Sequence, residues 1–233
     1  MKYNSPLMKI LETIANMLIV SFFWIVCSIP VITIIPASVA LYHTTNKIIF
    51  DGHGQGVMKD FFNTFKSNIV LGIKINIIFL IATFFVVVGV YAGIQIYKWN
   101  IFGLLYLVLA ILITFIYLIT IIYIPAVISR FYLKVIDTIR LSVFFAMQNI
   151  IISILNVILL VVMILIVDFI PLSLLIVPAL YVDLVRGNIE KKMEKFIIDN
   201  NLQENLKQVE ENIEEENESS SNIDNRLSRK KNK

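Results

Sequence analysis

One cysteine and two histidines are all that 233 residues supply for thiol or imidazole chemistry. Cys27, standing alone, closes no disulfide within the chain and builds no cysteine-based metal site. Its setting in an apolar run makes it a small packing residue, since Val26 is a poor fit to the small residue that lipoprotein processing wants. The two histidines, His43 and His53, lack the His-x-x-x-His spacing that puts two ligands on one helix face. A Gly-x-Ser-x-Gly elbow, a Walker A loop and a paired carboxylate inside an apolar run are also missing. The ionisable residues in or beside the apolar runs reduce to Lys74, Asp168 and Asp183. We therefore expect no enzyme, no cofactor, no metal and no nucleic-acid partner.

Charge is scarce over long distances as well. Apolar residues make up 58% of the chain, above the ~45–50% of soluble domains. Charged residues, 16% of the total, gather in short regions and leave long uncharged runs between them. That is the pattern of a polytopic membrane protein, with the lipid bilayer as its main partner. The expected fold class is all-α: a membrane helix bundle of about five transmembrane helices, two interfacial amphipathic helices and a disordered C-terminal tail. Residues 1–198 form the integral domain and 199–233 the charged tail.

The first apolar run, residues 17–42, carries no charge and is interrupted at Pro30 and Pro36, with Thr33 midway between them. It is too long for the apolar core of a signal peptide and lacks an Ala-x-Ala-like exit, so it reads as a retained first span over about 14–35. Pro30 removes a helical hydrogen bond and frees a carbonyl near Val26, which Ser28, Thr33 or a neighbouring helix would have to satisfy. The run either crosses once or dips in and returns at Pro30. Residues 52–56, Gly-His-Gly-Gln-Gly, make a flexible connector; a phosphate loop would follow a strand and end in Lys or Ser/Thr. After it, Val57, Met58, Phe61, Phe62 and Phe65 share one helical face and Lys59, Asp60, Asn63, Lys66 and Ser67 the other, as in a helix lying among lipid head groups.

Further spans are expected at 69–95, 101–124, 150–167 and, shorter, 172–185. Gly72, Gly89 and Gly93 allow close helix approach in the second. Lys74 there reads as a side chain snorkelling to the interface. Tyr97, Lys98 and Trp99 mark the far boundary. Residues 130–145 form the second amphipathic segment, with Arg130, Lys134, Asp137 and Thr138 on one face and an Asp137–Arg140 pair at i, i+3.

Two motifs resemble a known family. The stretch from Trp24 to Tyr42 reads apolar helix, then Pro30-Val31-Ile32-Thr33-Ile34-Ile35-Pro36-Ala37-Ser38-Val39-Ala40-Leu41-Tyr42. It is similar to the P-V-x-T-x-x-P-A-x-x-A-L-Y opening of the YesL family of bacterial membrane proteins. Phe61-Phe62-Asn63-Thr64-Phe65-Lys66-Ser67-Asn68 resembles the F-x-x-F-K-x-N that follows there. The likeness covers residues 15–75, with Ile35 where that family commonly has glycine. It implies that Pro30, Thr33, Pro36, Ala37, Leu41, Tyr42, Phe61, Phe65 and Asn68 are structural or site residues. It further implies a multi-pass protein of the plasma membrane with no established activity, from a family whose genes often neighbour carbohydrate-uptake systems.

A faint repeat pairs Pro36-Ala37, Tyr42, Phe61-Phe62 and Asn68 with Pro125-Ala126, Tyr132, Phe144-Phe145 and Asn149. It reflects a duplication or the look of any span followed by an interfacial helix. Residues 199–218 hold eight acids and one Lys, a net of −7, so the remainder of the chain carries +10. The basic end, from Arg226 to Lys233, would touch anionic lipid or serve solubility alone.

Loops 43–68 and 126–148 hold three Lys/Arg each, and Arg186, Lys191, Lys192 and Lys195 follow the last span. The positive-inside rule then puts the C-terminus in the cytoplasm and, with five spans, the N-terminus outside. A chain that re-enters at Pro30 would bring the N-terminus inside. Two functions remain in view. One is an accessory protein that contacts other membrane subunits of a carbohydrate transport system, or itself; the other is a small, oligomeric secondary transporter or channel subunit.

Overall fold

A computed structural model describes residues 6–51, 56–96, 101–148 and 150–199. The glycine-rich connector at 52–55, the aromatic boundary at 97–99, Asn149 of the repeat and all of the tail beyond Asp199 lie outside the described residues. Seven α-helices account for nearly everything described: α1 (Pro6–Ser28), α2 (Ile34–Asp51), α3 (Val57–Ile96), α4 (Ile101–Arg130), α5 (Val135–Gln148), α6 (Ile150–Phe169) and α7 (Val177–Asp199). Short 3-10 turns at Val31–Thr33 and Pro171–Leu175 precede α2 and α7. No strand occurs among the described residues.

Four segments are long and apolar enough to cross a bilayer: Ile10–Ser28, Val57–Ile96, Ile101–Arg130 and Ile150–Phe169. Their outward side chains, Phe84, Phe85, Leu105 and Leu155 among them, are more than half exposed. This is the build of a membrane protein, in which lipid covers such faces. The fifth expected span does not form one crossing helix. Residues 172–185 are split between the 3-10 turn and the start of α7, and neither piece alone has the ~20 residues of a crossing helix. Pro178 sits at the second position of α7, where its missing N–H costs nothing.

The expected interfacial helix at 57–67 is instead the first part of α3, which continues unbroken for 40 residues. At 1.5 Å per residue that is about 60 Å, twice a hydrocarbon core. At the anticipated junction the backbone stays helical, and Ser67 Oγ and Asn68 Nδ2 both donate back to the Thr64 carbonyl at 3.0 Å. Val57 and Phe61 are buried on the expected face, but Met58 is exposed. Gly56, with φ at +103°, opens the helix, and its carbonyl accepts from Asp60 N–H at 2.9 Å. The second amphipathic segment is helical only from Val135. Its Asp137–Arg140 pair is present at 3.9 Å and exposed, whereas Thr138 is fully buried and bonds back to the Lys134 carbonyl.

α2 is the hub. Its Ile35 and Val39 pack with Ile75 and Phe79 of α3 and with Ile124 and Ile128 of α4 in one buried cluster. Lipid tails are as apolar as these side chains, so helix association here rests on packing and on interhelical hydrogen bonds. Both kinds are seen between α3 and α4: the Phe79 and Tyr117 rings lie 5.5 Å apart, and the Tyr117 and Thr83 hydroxyls 2.6 Å apart.

The chain divides into two compact units, Met1–Glu190 and Lys191–Lys233. In the second, residues 191–199 are described and are helical.

Candidate functional site

The break between α1 and α2 sets the site's geometry. Pro30 has no N–H, so the helix ends at Ser28, and Ile29 N–H reaches the Val26 carbonyl only at 3.4 Å. Two freed carbonyls, those of Cys27 and Pro30, lie 2.6 Å from the Thr33 hydroxyl, which donates to one of them at a time. A third, that of Val31, accepts from Asn76 Nδ2 of α3 at 2.8 Å. Ser28 Oγ, the other local donor, is buried with no partner among the described residues. Three carbonyls of the irregular backbone at 27–31 are thus satisfied from inside the protein, as backbone away from water must be.

Past the break the chain folds back. Trp24 Nε1 of α1 donates to Ser38 Oγ of α2 at 3.1 Å, and the two residues are symmetric about Val31. α1 and α2 therefore form a helical hairpin with its tip at Val31–Thr33. The first apolar run does not continue straight to Ile35, and of the two courses left open by the sequence it takes the returning one. Pro36, in the first turn of α2, is buried against Gly72 of α3. A Cβ at Gly72 would lie 2.7 Å from Pro36 Cδ and 2.9 Å from its backbone nitrogen.

At its other end α2 meets charge. Tyr42 donates from its hydroxyl to Glu190 Oε1 of α7 at 2.9 Å, and Asn46 Nδ2 approaches the same oxygen at 3.3 Å. Arg130, at the end of α4, donates to Glu190 Oε2. Arg186 bonds Asp183 at 3.0 Å and Asn46 Oδ1 at 3.2 Å. Glu190 is 3% exposed, and buried charge persists only when paired and hydrogen-bonded. Neither Tyr42 nor His43 lies on one of the four segments long and apolar enough to cross. Burial pushes the Tyr42 phenol well above its ordinary value, and the Glu190 charge pushes it further. Burial also lowers the neighbouring His43 imidazole, with the Lys47 ammonium acting in the same direction.

Between these two features lies a half-open cavity of about 370 Å³, walled by α1, α2, α4, α6, α7 and the turn before α7. Its lining is almost wholly apolar. The polar groups on it already have partners. Trp24 bonds Ser38, Tyr42 bonds Glu190, and Tyr181 donates to the Asn156 carbonyl at 3.4 Å.

The residues singled out by motif separate into three places. Thr33 and Pro36 belong to the hairpin tip, where Pro30 itself is exposed, and Ala37 is fully buried one residue beyond Pro36. Leu41 and Tyr42 reach the cavity. Phe61 and Phe65 stack in parallel 6.4 Å apart, with Phe23 and Phe62 completing an aromatic group. Asn68 stays within its own helix. The tip packs one and two turns further along α3, at Gly72 and Asn76. The Pro-Ala steps of the faint repeat stand in different settings, Pro36 at a helix start and Pro125 inside α4. Lys74 is exposed. Sequence reasoning passed over Gly72 as a site residue, and also Asn76 and Glu190. The available signal was an amide within an apolar run; Glu190, one residue off the Val182, Val185, Ile189 stripe, carries none.

Among the described residues no group of three or more His, Cys, Asp or Glu side chains is placed to hold a metal ion. No curated protein and no solved structure matches the chain. Residues 17–90, which contain the hairpin, the aromatic group and the α3 residues that close on the tip, match a family model described as a protein of unknown function, DUF624.

Proposed function

We propose that this membrane protein is an accessory or interaction subunit of a carbohydrate-uptake system in the plasma membrane, with no enzymatic activity of its own. One observation carries the reading. A transporter with a broken helix presents free carbonyls to its substrate, and here the carbonyl of Cys27 is taken by the Thr33 hydroxyl, that of Pro30 by the Thr33 backbone N–H at 2.8 Å and that of Val31 by Asn76. The likeness of residues 24–42 and 61–68 to the YesL family supplies the carbohydrate association. The cavity next to α2 speaks for the second reading, a small transporter or channel subunit. Its walls, though, offer a sugar or an ion almost nothing to bind.

Gentle detergent extraction of the tagged full chain should co-isolate integral subunits of a sugar-uptake system, identified by mass spectrometry. Recovery of the chain alone, together with sugar or ion flux in reconstituted vesicles, would overturn the proposal in favour of transport.

The same reading places both termini in the cytoplasm. Support comes from the α1–α2 hairpin and from Glu190, which brings α7 to the end where α2 and α4 present Tyr42 and Arg130. Lys2 and Lys9 then join the basic loops, and Lys98 is left on the opposite side, a sharper charge asymmetry than five crossings give. The check is labelling of intact cells with a membrane-impermeant maleimide, in a Cys27→Ala background. Ser5→Cys and Ser221→Cys should both stay unlabelled until the membrane is opened. Labelling of Ser5→Cys in closed cells would return the first run to a simple crossing.

A further inference from the structure

We propose that the half-open cavity is a binding site for one acyl chain of a bilayer phospholipid. Two observations select a hydrocarbon chain over a polar solute. The lining is apolar, with Ile121, Pro125, Leu160, Met163, Val177 and Val182 among its walls. Of the side chains that could donate to a ligand, Trp24, Tyr42 and Tyr181 spend their hydrogen bonds on Ser38, Glu190 and the Asn156 carbonyl, which leaves the single hydroxyl of Ser38. A sugar or an ion entering here would lose its hydration and gain at most the Ser38 hydroxyl, at a cost of several kcal/mol. A methylene chain loses nothing.

The bilayer supplies that chain directly. Three of the walls, α1, α4 and α6, are segments long and apolar enough to cross a membrane, so bilayer hydrocarbon is the medium next to the cavity. A void against lipid fills with whatever is at hand, but this one is a recess between helices. Its α6 wall includes Met163, only 6% exposed, and α7 contributes Val177 and Val182, 8% and 9% exposed. A chain lodged there is held on several sides, unlike one lying along the open face of α3. The volume, about 370 Å³, is near the lower end of small-molecule sites at ~300–1,000 Å³. It suits one linear chain better than a long branched polyprenyl tail. The cavity's Tyr42 and Val185 end adjoins the charged group of Arg130, Arg186 and Glu190, which marks the end nearest the lipid head groups.

The test uses the full chain in lipid nanodiscs doped with a phospholipid that carries a photoreactive diazirine in its acyl chain. After illumination, labelled peptides are mapped by mass spectrometry. Leu160 and Val182 should be labelled several-fold more than Phe84 and Phe85 of α3, although those phenylalanines are 65% and 67% exposed. Val182→Phe, which fills the cavity from α7, should cut the cavity labelling at least fivefold and leave α3 labelling unchanged. Val167→Phe, from the half-buried end of α6, should do the same and decides the matter if Val182→Phe does not fold. Labelling that simply follows exposure, or that neither variant alters, overturns the proposal and leaves bulk lipid contact only. Competition by a polyprenyl phosphate where excess unlabelled phospholipid has no effect would overturn the choice of an acyl chain.

Discussion

Glu190→Ala lowers the stability of the detergent-solubilised protein by about 3 kcal/mol, the lower part of the range for breaking a buried ion pair. In a chain of this size the shift in Tm is roughly 6–12 °C. The carboxylate is 3% exposed and takes hydrogen bonds from three residues on two other helices: Tyr42 and Asn46 of α2, and Arg130 of α4. Its loss removes the acceptor of the buried Tyr42 hydroxyl and the carboxylate partner of Arg130. The effect stays near the lower bound because the Arg130 side chain keeps 33% of its surface exposed and is partly solvated. Glu190→Gln, which keeps an acceptor oxygen for Tyr42 and Asn46 but carries no charge, should cost about half as much. Arg130→Met should cost at least as much as Glu190→Ala, since it strands the more deeply buried of the two charges. Combined with Glu190→Gln it should give less than the sum of the single effects, the mark of direct coupling in a double-mutant cycle. Differential scanning fluorimetry on the five proteins reads all of this. A Tm for Glu190→Ala within 2 °C of the parent would show that the cluster does not hold α7 to α2 and α4.

Why this cluster escapes a reading of the sequence is a matter of distance along the chain. Glu190 opens the run Glu190-Lys191-Lys192, which looks like solvated helix beyond the membrane. Its partners lie 148 and 60 positions away, and each has a sufficient local meaning: Tyr42 as an interfacial aromatic, Arg130 as an inner-side charge. The crossing helices are legible because run length and absence of charge are local properties that the bilayer thickness converts directly into structure. The failure at 172–185 follows from the same rule, applied to a run too short for it. Pro30 announces a break just as locally, but the direction of the chain after the break does not. That depends on Ser38 waiting for Trp24 and on Asn76 waiting for the Val31 carbonyl. Asn68 attracted notice through the family motif, yet Asn76 closes the tip. Asn76 stands among isoleucines where Asn68 follows Lys66 and Ser67, but which face of α3 meets α2 is not visible from the sequence.

The closest approach in that meeting gives the second large effect. Gly72→Ala should destabilise the protein by about 2–3 kcal/mol, the upper part of the range for forcing an extra carbon into a packed interior. The new Cβ would sit 2.7 Å from Pro36 Cδ, 2.8 Å from its Cβ and 2.9 Å from its backbone nitrogen. A flexible side chain would swing aside. A proline ring has no rotamer to offer, and the backbone nitrogen moves only if the start of α2 moves with it. Relief therefore requires α2 and α3 to separate, which strains the Asn76–Val31 hydrogen bond one turn along and loosens the cluster around Ile35 and Ile75. Gly89→Ala, on the same helix, is the control. Its Cβ would meet only the Tyr106 hydroxyl, at 3.7 Å, an ordinary contact. Replacing glycine by alanine inside a helix is worth up to about 1 kcal/mol in helix propensity, so this variant should be neutral or slightly more stable. The same one-carbon change on one helix is thus expected to have opposite signs 17 residues apart. Thermal unfolding of both variants measures the difference directly. If Gly72→Ala proves as stable as Gly89→Ala, then α2 does not rest on α3 at Pro36, and the hairpin must be held by other contacts.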